Sequence, residues 1–274
     1  MKRIFTLISA VSVSVLPVAA IAATLSAPGA SKTLQLPAAA DNSPVISLGS
    51  AIDPQTGNLV EGYAIVHYGD AQARVGAASR GKQPACYSFM AKGARWKVVE
   101  PWVVNPANAR GLDTTLVASN FAGDIAKWEN AADGVIDAGS LNIVGDGTVT
   151  TDVLAADSVS PDGQNEVLFG AISDANAIAV TIVWGIFSGP TFAHELVEWD
   201  QVYDDTDYDW SLAGEAGKMD FENIATHELG HTFGLRDMYD ASCAVQTMYG
   251  YADFGETNKR TLESGDIKGI SELY

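Results

Sequence analysis

His227, Glu228 and His231 stand in the order His-Glu-x-x-His, and Gly234 and Asp237 follow three and six residues after the second histidine. On a helix, residues four apart project from one face a turn apart, so both imidazoles can reach a single tetrahedral ion. Glu228, rotated by about 100° from His227, falls beside the ion and outside the ligand set, where a base for water belongs. Gly234 can take a positive φ, which lets the chain leave the helix and bring Asp237 back as a third ligand. Asp240 is the alternative third ligand, because a longer loop can also return a carboxylate. The chain holds four histidines, and the other two, His67 and His194, lie upstream of the motif. Three protein ligands leave a position for water, the arrangement by which Zn2+ acidifies water and polarises a carbonyl. A carboxylate among the ligands makes the site less positive and its water slightly less acidic.

The run extends to H-E-x-x-H-x-x-G-x-x-D, and a methionine follows in Thr247-Met248-Tyr249. This segment resembles the zinc peptidases called metzincins. The terminal Asp266-Ile267-Lys268-Gly269-Ile270-Ser271-Glu272-Leu273-Tyr274 is similar to the last helix of the matrixin branch. The strong motifs run from about Val197 onward. The resemblance implies an α+β fold: a mixed twisted sheet with a zinc-binding helix, a Met-turn and a C-terminal helix. It also implies a zinc endopeptidase acting on protein or peptide substrates. Zinc would sit on His227, His231 and Asp237, Glu228 would activate a zinc-bound water, and Met248 would form a structural floor. Most matrixins carry a third histidine where this chain has Asp237. Some metzincins use a tyrosine two residues after the methionine, where this chain has Gly250 between Tyr249 and Tyr251. The competing reading is a catalytically silent or latent secreted binding protein on a metzincin scaffold.

Met1-Lys2-Arg3 precedes an apolar run from Ile4 to Ala23 that ends in small residues, which reads as a cleaved secretory signal peptide over 1–23. A secreted or periplasmic location is expected, with no transmembrane segment in the mature chain. The formal charge of −18 argues against nucleic acid as a partner. It suits structural Ca2+, for which the stretches Asp204–Asp209 and Asp133–Asp162 are candidates, with solvated loops as the alternative. Oligomeric state is open, with a monomer as the default. Cys86 and Cys243 are the two cysteines, and export favours a disulfide between them. The alternative, Cys86 as a propeptide thiolate on the zinc, lacks the matrixin Pro-Arg-Cys-Gly-x-Pro-Asp context.

Residues 24–91 read as an N-terminal extension or propeptide with a flexible Ala/Ser/Pro-rich lead and β-like pieces such as Tyr63–Tyr68. Residues 92–274 read as the metalloprotease domain, long enough for one core. Within it Trp96–Val99 is expected as a strand, Thr114–Ala131 as an amphipathic helix, and Val167–Gly170 and Ala179–Trp184 as strands. Glu195–Tyr203 is expected as the edge strand above the cleft, where it would pair with extended substrate. Asp220 is the expected N-cap of the zinc helix. Ser264 is expected to cap a last helix whose Ile267, Ile270 and Tyr274 recur at three- and four-residue steps.

Overall fold

The computed structural model describes residues 33–37, 43–69, 85–132 and 142–274. The signal peptide expected over 1–23 lies outside them. Among the described residues no helix is long and apolar enough to cross a membrane.

A mixed eight-stranded sheet carries the fold. Its strands are β1 (Val45–Ile52), β2 (Leu59–Gly69), β3 (Trp102–Asn105), β4 (Gly147–Val149), β5 (Asn165–Gly170), β6 (Ala177–Ile186), β7 (Glu195–Asp204) and β10 (Tyr251–Ala252). The order is β1-β2-β6-β7-β5-β3-β4, with β10 paired to β2. Strands β5, β3 and β4 run parallel to β7, whereas β6, β2 and β1 alternate direction. The helices are α1 (Thr114–Ala131), α2 (Phe221–Thr232) and α3 (Ser264–Leu273), and β8 (Trp210–Ser211) pairs with β9 (Met219–Asp220) just before α2.

Strand β6, with the sequence AIAVTIVWGI, is buried along nearly its whole length. A near-continuous apolar run is what a strand covered on both faces and paired on both edges requires. One face of the sheet packs on the helices through Trp199, Tyr203, Phe121, Trp128 and Phe233. The other face buries Trp184, Val180, Ile182 and Val202 with Ile46, Val60 and Val66 of the first two strands. Strands Val45–Ile52 and Leu59–Gly69, within the 24–91 segment expected as an extension or propeptide, belong to the same sheet as the rest.

Helix α1 has the expected bounds. Asp113 caps it by accepting from the Thr115 and Leu116 amides, and Val117, Phe121, Ile125 and Trp128 form its buried stripe. Three local expectations are corrected. Trp96–Val99 is not a strand: the Trp96 indole is buried and donates to the Thr232 carbonyl, while Val98 and Val99 are exposed, and pairing begins at Trp102. The strand Glu195–Asp204 is not an edge, since it lies between β5 and β6. The cap of α3 is Glu263, in a reciprocal capping box with Asp266, and Ile267 faces solvent while Ile270 and Leu273 are buried.

Candidate metal centre

Helix α2 presents the site. Asp220 caps it by accepting from the Asn223 amide, and Arg260 pairs with the same carboxylate at 2.6 Å. The helix stops after Thr232, and Gly234 takes φ +96°, a conformation that other residues rarely adopt. A side chain there would also meet the Ala94 carbonyl, 2.8 Å from a built Cβ. The turn carries the Leu235 carbonyl to 3.0 Å from His231 Nδ1, while the Thr247 carbonyl lies 2.6 Å from His227 Nδ1. These acceptors hold a proton on Nδ1 of each ring and turn Nε2 inward, towards Asp237.

Asp237 Oδ1 lies 3.1 Å from His227 Nε2 and 3.4 Å from His231 Nε2. The same three atoms are buried and have no hydrogen-bond partner. Two imidazole nitrogens and a carboxylate oxygen converging in a buried site form the donor set expected for Zn2+, so the residues fit that ion. Asp237 Oδ2 accepts from the Tyr239 hydroxyl at 2.8 Å. Such an outer partner fixes the carboxylate, so Tyr239→Phe is expected to weaken zinc affinity by about 10-fold or more in a competition titration. Unchanged affinity would remove Tyr239 from the site. Asp240, the alternative ligand, is spent on a turn, accepting from the Ser242 amide and hydroxyl.

Beneath the helix, Met248 is buried against Gly230, where a built Cβ would lie 2.0 Å from its sulfur. This contact explains a glycine in mid-helix. The turn bearing Met248 is held by Asp266 of α3, whose carboxylate accepts from the amides of Thr247 and Met248 at 2.7 and 3.1 Å. Hydrogen bonds to a charged acceptor contribute about 1.5–3 kcal/mol each, so Asp266→Ala is expected to lower the melting temperature by several degrees, about 2–4 °C per kcal/mol. An unaltered melt would show that the turn holds itself. The structure joins Cys86 to Cys243 in a disulfide, which ties residues 85–91 to the loop between Asp237 and Met248.

Glu228 is fully buried beside the three donor atoms. Its Oε2 accepts from Thr181 Oγ1 of β6 at 2.5 Å, and its Oε1 lies 3.0 Å from His67 Nδ1 of β2. The His67 ring packs edge-on against His227 at 4.0 Å, with its Nε2 buried and unpartnered. Burial pushes His67 down to about 3 and His227 down to about 4, so both rings are neutral near pH 7. Burial also opposes charge on His231, but the Asp237 carboxylate outweighs it and lifts that ring to about 9. Burial raises the Glu228 carboxyl against the pull of the two helix histidines.

Sequence reasoning set His67, Thr181 and Tyr239 aside. For His67 the available signal was a lone imidazole ending the apolar run Ala64-Ile65-Val66. His194, to which no metal was assigned, is instead a structural residue, its ring nitrogens 2.8 and 3.2 Å from the carbonyls of Lys92 and Gly189. A second carboxylate group, Asp157, Glu198 and Asp200, has oxygens within 4.8 Å of one another on the sheet face away from α2. Glu198 and Asp200 are two apart in β7 and so share a face. The Asp204–Asp209 stretch is a self-satisfied turn: Asp204 accepts from the Ile172, Thr206 and Asp207 amides, and Asp209 pairs with Arg110.

Residues 188–274 match the family model described as Matrixin. Over 94 residues the chain is 35% identical to the matrilysin of Felis catus and 33% identical to that of Homo sapiens. These alignments cover 32% of this chain and 34% of each relative, so the chain spans about a third of the length of the curated relatives it matches. The matched segment, which carries the candidate metal centre and the last helix, is thus similar to the matrixin family, and the α+β sheet accords with that likeness. All three donor residues, Glu228 and Met248 fall inside that segment, whereas His67 and Thr181 fall outside it.

Proposed function

We propose that the chain is a secreted zinc endopeptidase that hydrolyses peptide bonds of proteins. The observation that carries this reading is the convergence of His227 Nε2, His231 Nε2 and Asp237 Oδ1, buried and unpartnered, beside the Glu228 carboxylate. Zinc held by these residues supplies Lewis acidity, polarising a scissile carbonyl and favouring ionisation of water. Glu228, its carboxyl raised by burial, takes a proton from the attacking water and delivers it to the leaving amine. Thr181 orients one oxygen of that carboxylate and leaves the other for proton transfer. The test is hydrolysis of an unfolded protein that stops on chelation and returns with added zinc. Hydrolysis that survives complete zinc removal overturns the reading. An intact Glu228 argues against a silent scaffold. Secretion rests on the leader-like first 23 residues and accords with a disulfide.

Structural calcium is best accommodated by Asp157, Glu198 and Asp200. Glu198 is almost fully buried with Oε1 unpartnered, and an oxygen-only set suits a hard cation. Burial first, then neighbouring carboxylates, pushes Glu198 up to about 8, Glu166 up to about 7 and Asp200 well above its ordinary range. Because these folded-state values exceed the unfolded carboxylate range of about 4, the folded chain holds extra protons in between. Without a cation, its stability is therefore present at low pH and lost as pH rises from about 4 to about 8. Calcium is expected to raise the melting temperature by several degrees at pH 8 and little at pH 5, with zinc constant, and Glu198→Gln is expected to remove most of that gain. A melt at pH 8 indifferent to calcium would exclude the assignment.

A further inference from the structure

The third donor, Asp237, sits on a turn and not on the helix, and both of its chain neighbours are pinned by other segments. Before it, the Arg236 amide donates to the Ser88 carbonyl and the Met90 amide to the Gly234 carbonyl, each at 2.9 Å, about an antiparallel bridge between Phe89 and Leu235. After it, the Met238 amide donates to the Met248 carbonyl at 2.7 Å. The Leu235 carbonyl in that bridge is also the acceptor that orients His231 through Nδ1. Residues 86–90 therefore run along the strip that carries one donor and aims another. Their near end is anchored on two sides. Cys86 is bonded to Cys243, and its carbonyl packs so closely on Gly265 of α3 that a side chain there would meet it. Tyr87 rests on Gly269 of the same helix and donates its hydroxyl to Glu272 at 2.8 Å.

We propose that residues 86–90, closed by the Cys86–Cys243 disulfide, are a positioning clip for Asp237 and set how tightly the centre holds zinc. This rests on the assignment of Asp237 as third ligand made above. Two backbone hydrogen bonds along a half-buried strip do not offset the entropy of fixing five residues, so the strip depends on its ends to stay in register. The buried Ala94 and Trp96 hold the end after Met90, and the disulfide holds the end before Tyr87. The same bond fixes the far side of the ligand, because Cys243 lies in the loop between Asp237 and Met248. One crosslink thus restrains Asp237 from both directions. A donor held in place before the ion arrives adds affinity by removing the cost of ordering it on binding. Residues 86–90 fall outside the matched segment 188–274, whereas Asp237 and Cys243 fall inside it, so the clip is an addition to that likeness.

The experiment measures zinc affinity, by competition with a chromophoric chelator, for the full chain with and without the disulfide, in the parent and in Asp237→Ala. The bond is removed by Cys86→Ser together with Cys243→Ser. Its loss is expected to weaken zinc binding in the parent by about 10-fold or more, the size of an outer partner's effect. In Asp237→Ala the same change is expected to cost less than about twofold, because a clip acting through that carboxylate has nothing left to position. Amide exchange at Arg236 is expected to rise at least about tenfold in the serine variant, with exchange across β6 unchanged as the sign that the sheet stays folded. Parent chain that is reduced, alkylated and desalted supplies the same comparison should the serine variant not fold. Unchanged affinity in a folded chain without the disulfide, or an equal loss in both backgrounds, overturns the proposal, since the bond would then stabilise the fold without placing the ligand. If Asp237→Ala alone binds zinc as tightly as the parent, the third-ligand assignment itself fails, and the clip with it.

Discussion

Glu228→Ala is expected to lower hydrolysis by about 10^2- to 10^4-fold, the usual contribution of a positioned general base, while leaving zinc content unchanged. The carboxylate touches Thr181 and His67 and is not one of the three convergent donors, so its loss removes proton transfer and keeps the ion. Glu228→Gln is the sharper variant. It keeps an acceptor for Thr181, so the local packing survives and a loss of rate belongs to the chemistry. Steady-state rates, beside zinc content by elemental analysis, provide the check. A variant of either kind with normal turnover would take Glu228 out of the mechanism.

Asp237→Ala is expected to cut zinc affinity by more than the roughly 10- to 100-fold typical of an outer hydrogen-bond partner, because it deletes a donor itself. Asp240→Ala, whose carboxylate only closes a turn at Ser242, is expected to leave affinity unchanged. Competition against a chromophoric chelator distinguishes the two. Equal losses in both variants, or a loss only in Asp240→Ala, would reassign the third ligand.

The helix that bears the candidate metal ligands was legible because its signals are local. A capping aspartate, a four-residue histidine spacing and a glycine after the last turn each act within a few residues, and the structure brings Asp237, not Asp240, to the two rings. The bounds of α1 follow from its cap and stripe for the same reason. What sequence reasoning missed is non-local. His67 meets Glu228 across 161 residues, and only the pairing of β2 with β6 brings them together. The misplaced edge at β7 has the same origin: alternation identifies a strand, but not which neighbours it pairs with. The carboxylates of Glu198 and Asp200 could be placed on one face of β7. That Asp157 closes over them depends on a loop before β5 that has no periodic signal.

The central claim is that these donors hold zinc for a reaction in which Glu228 is the base. The most direct test is hydrolysis of an unfolded protein by the chain, with and without chelator, beside Glu228→Ala. The account predicts cleavage that disappears on chelation, returns with zinc and is absent from a variant that still binds about one zinc per chain. Cleavage by Glu228→Ala at the parent rate, or none by the parent chain with zinc bound, would contradict it.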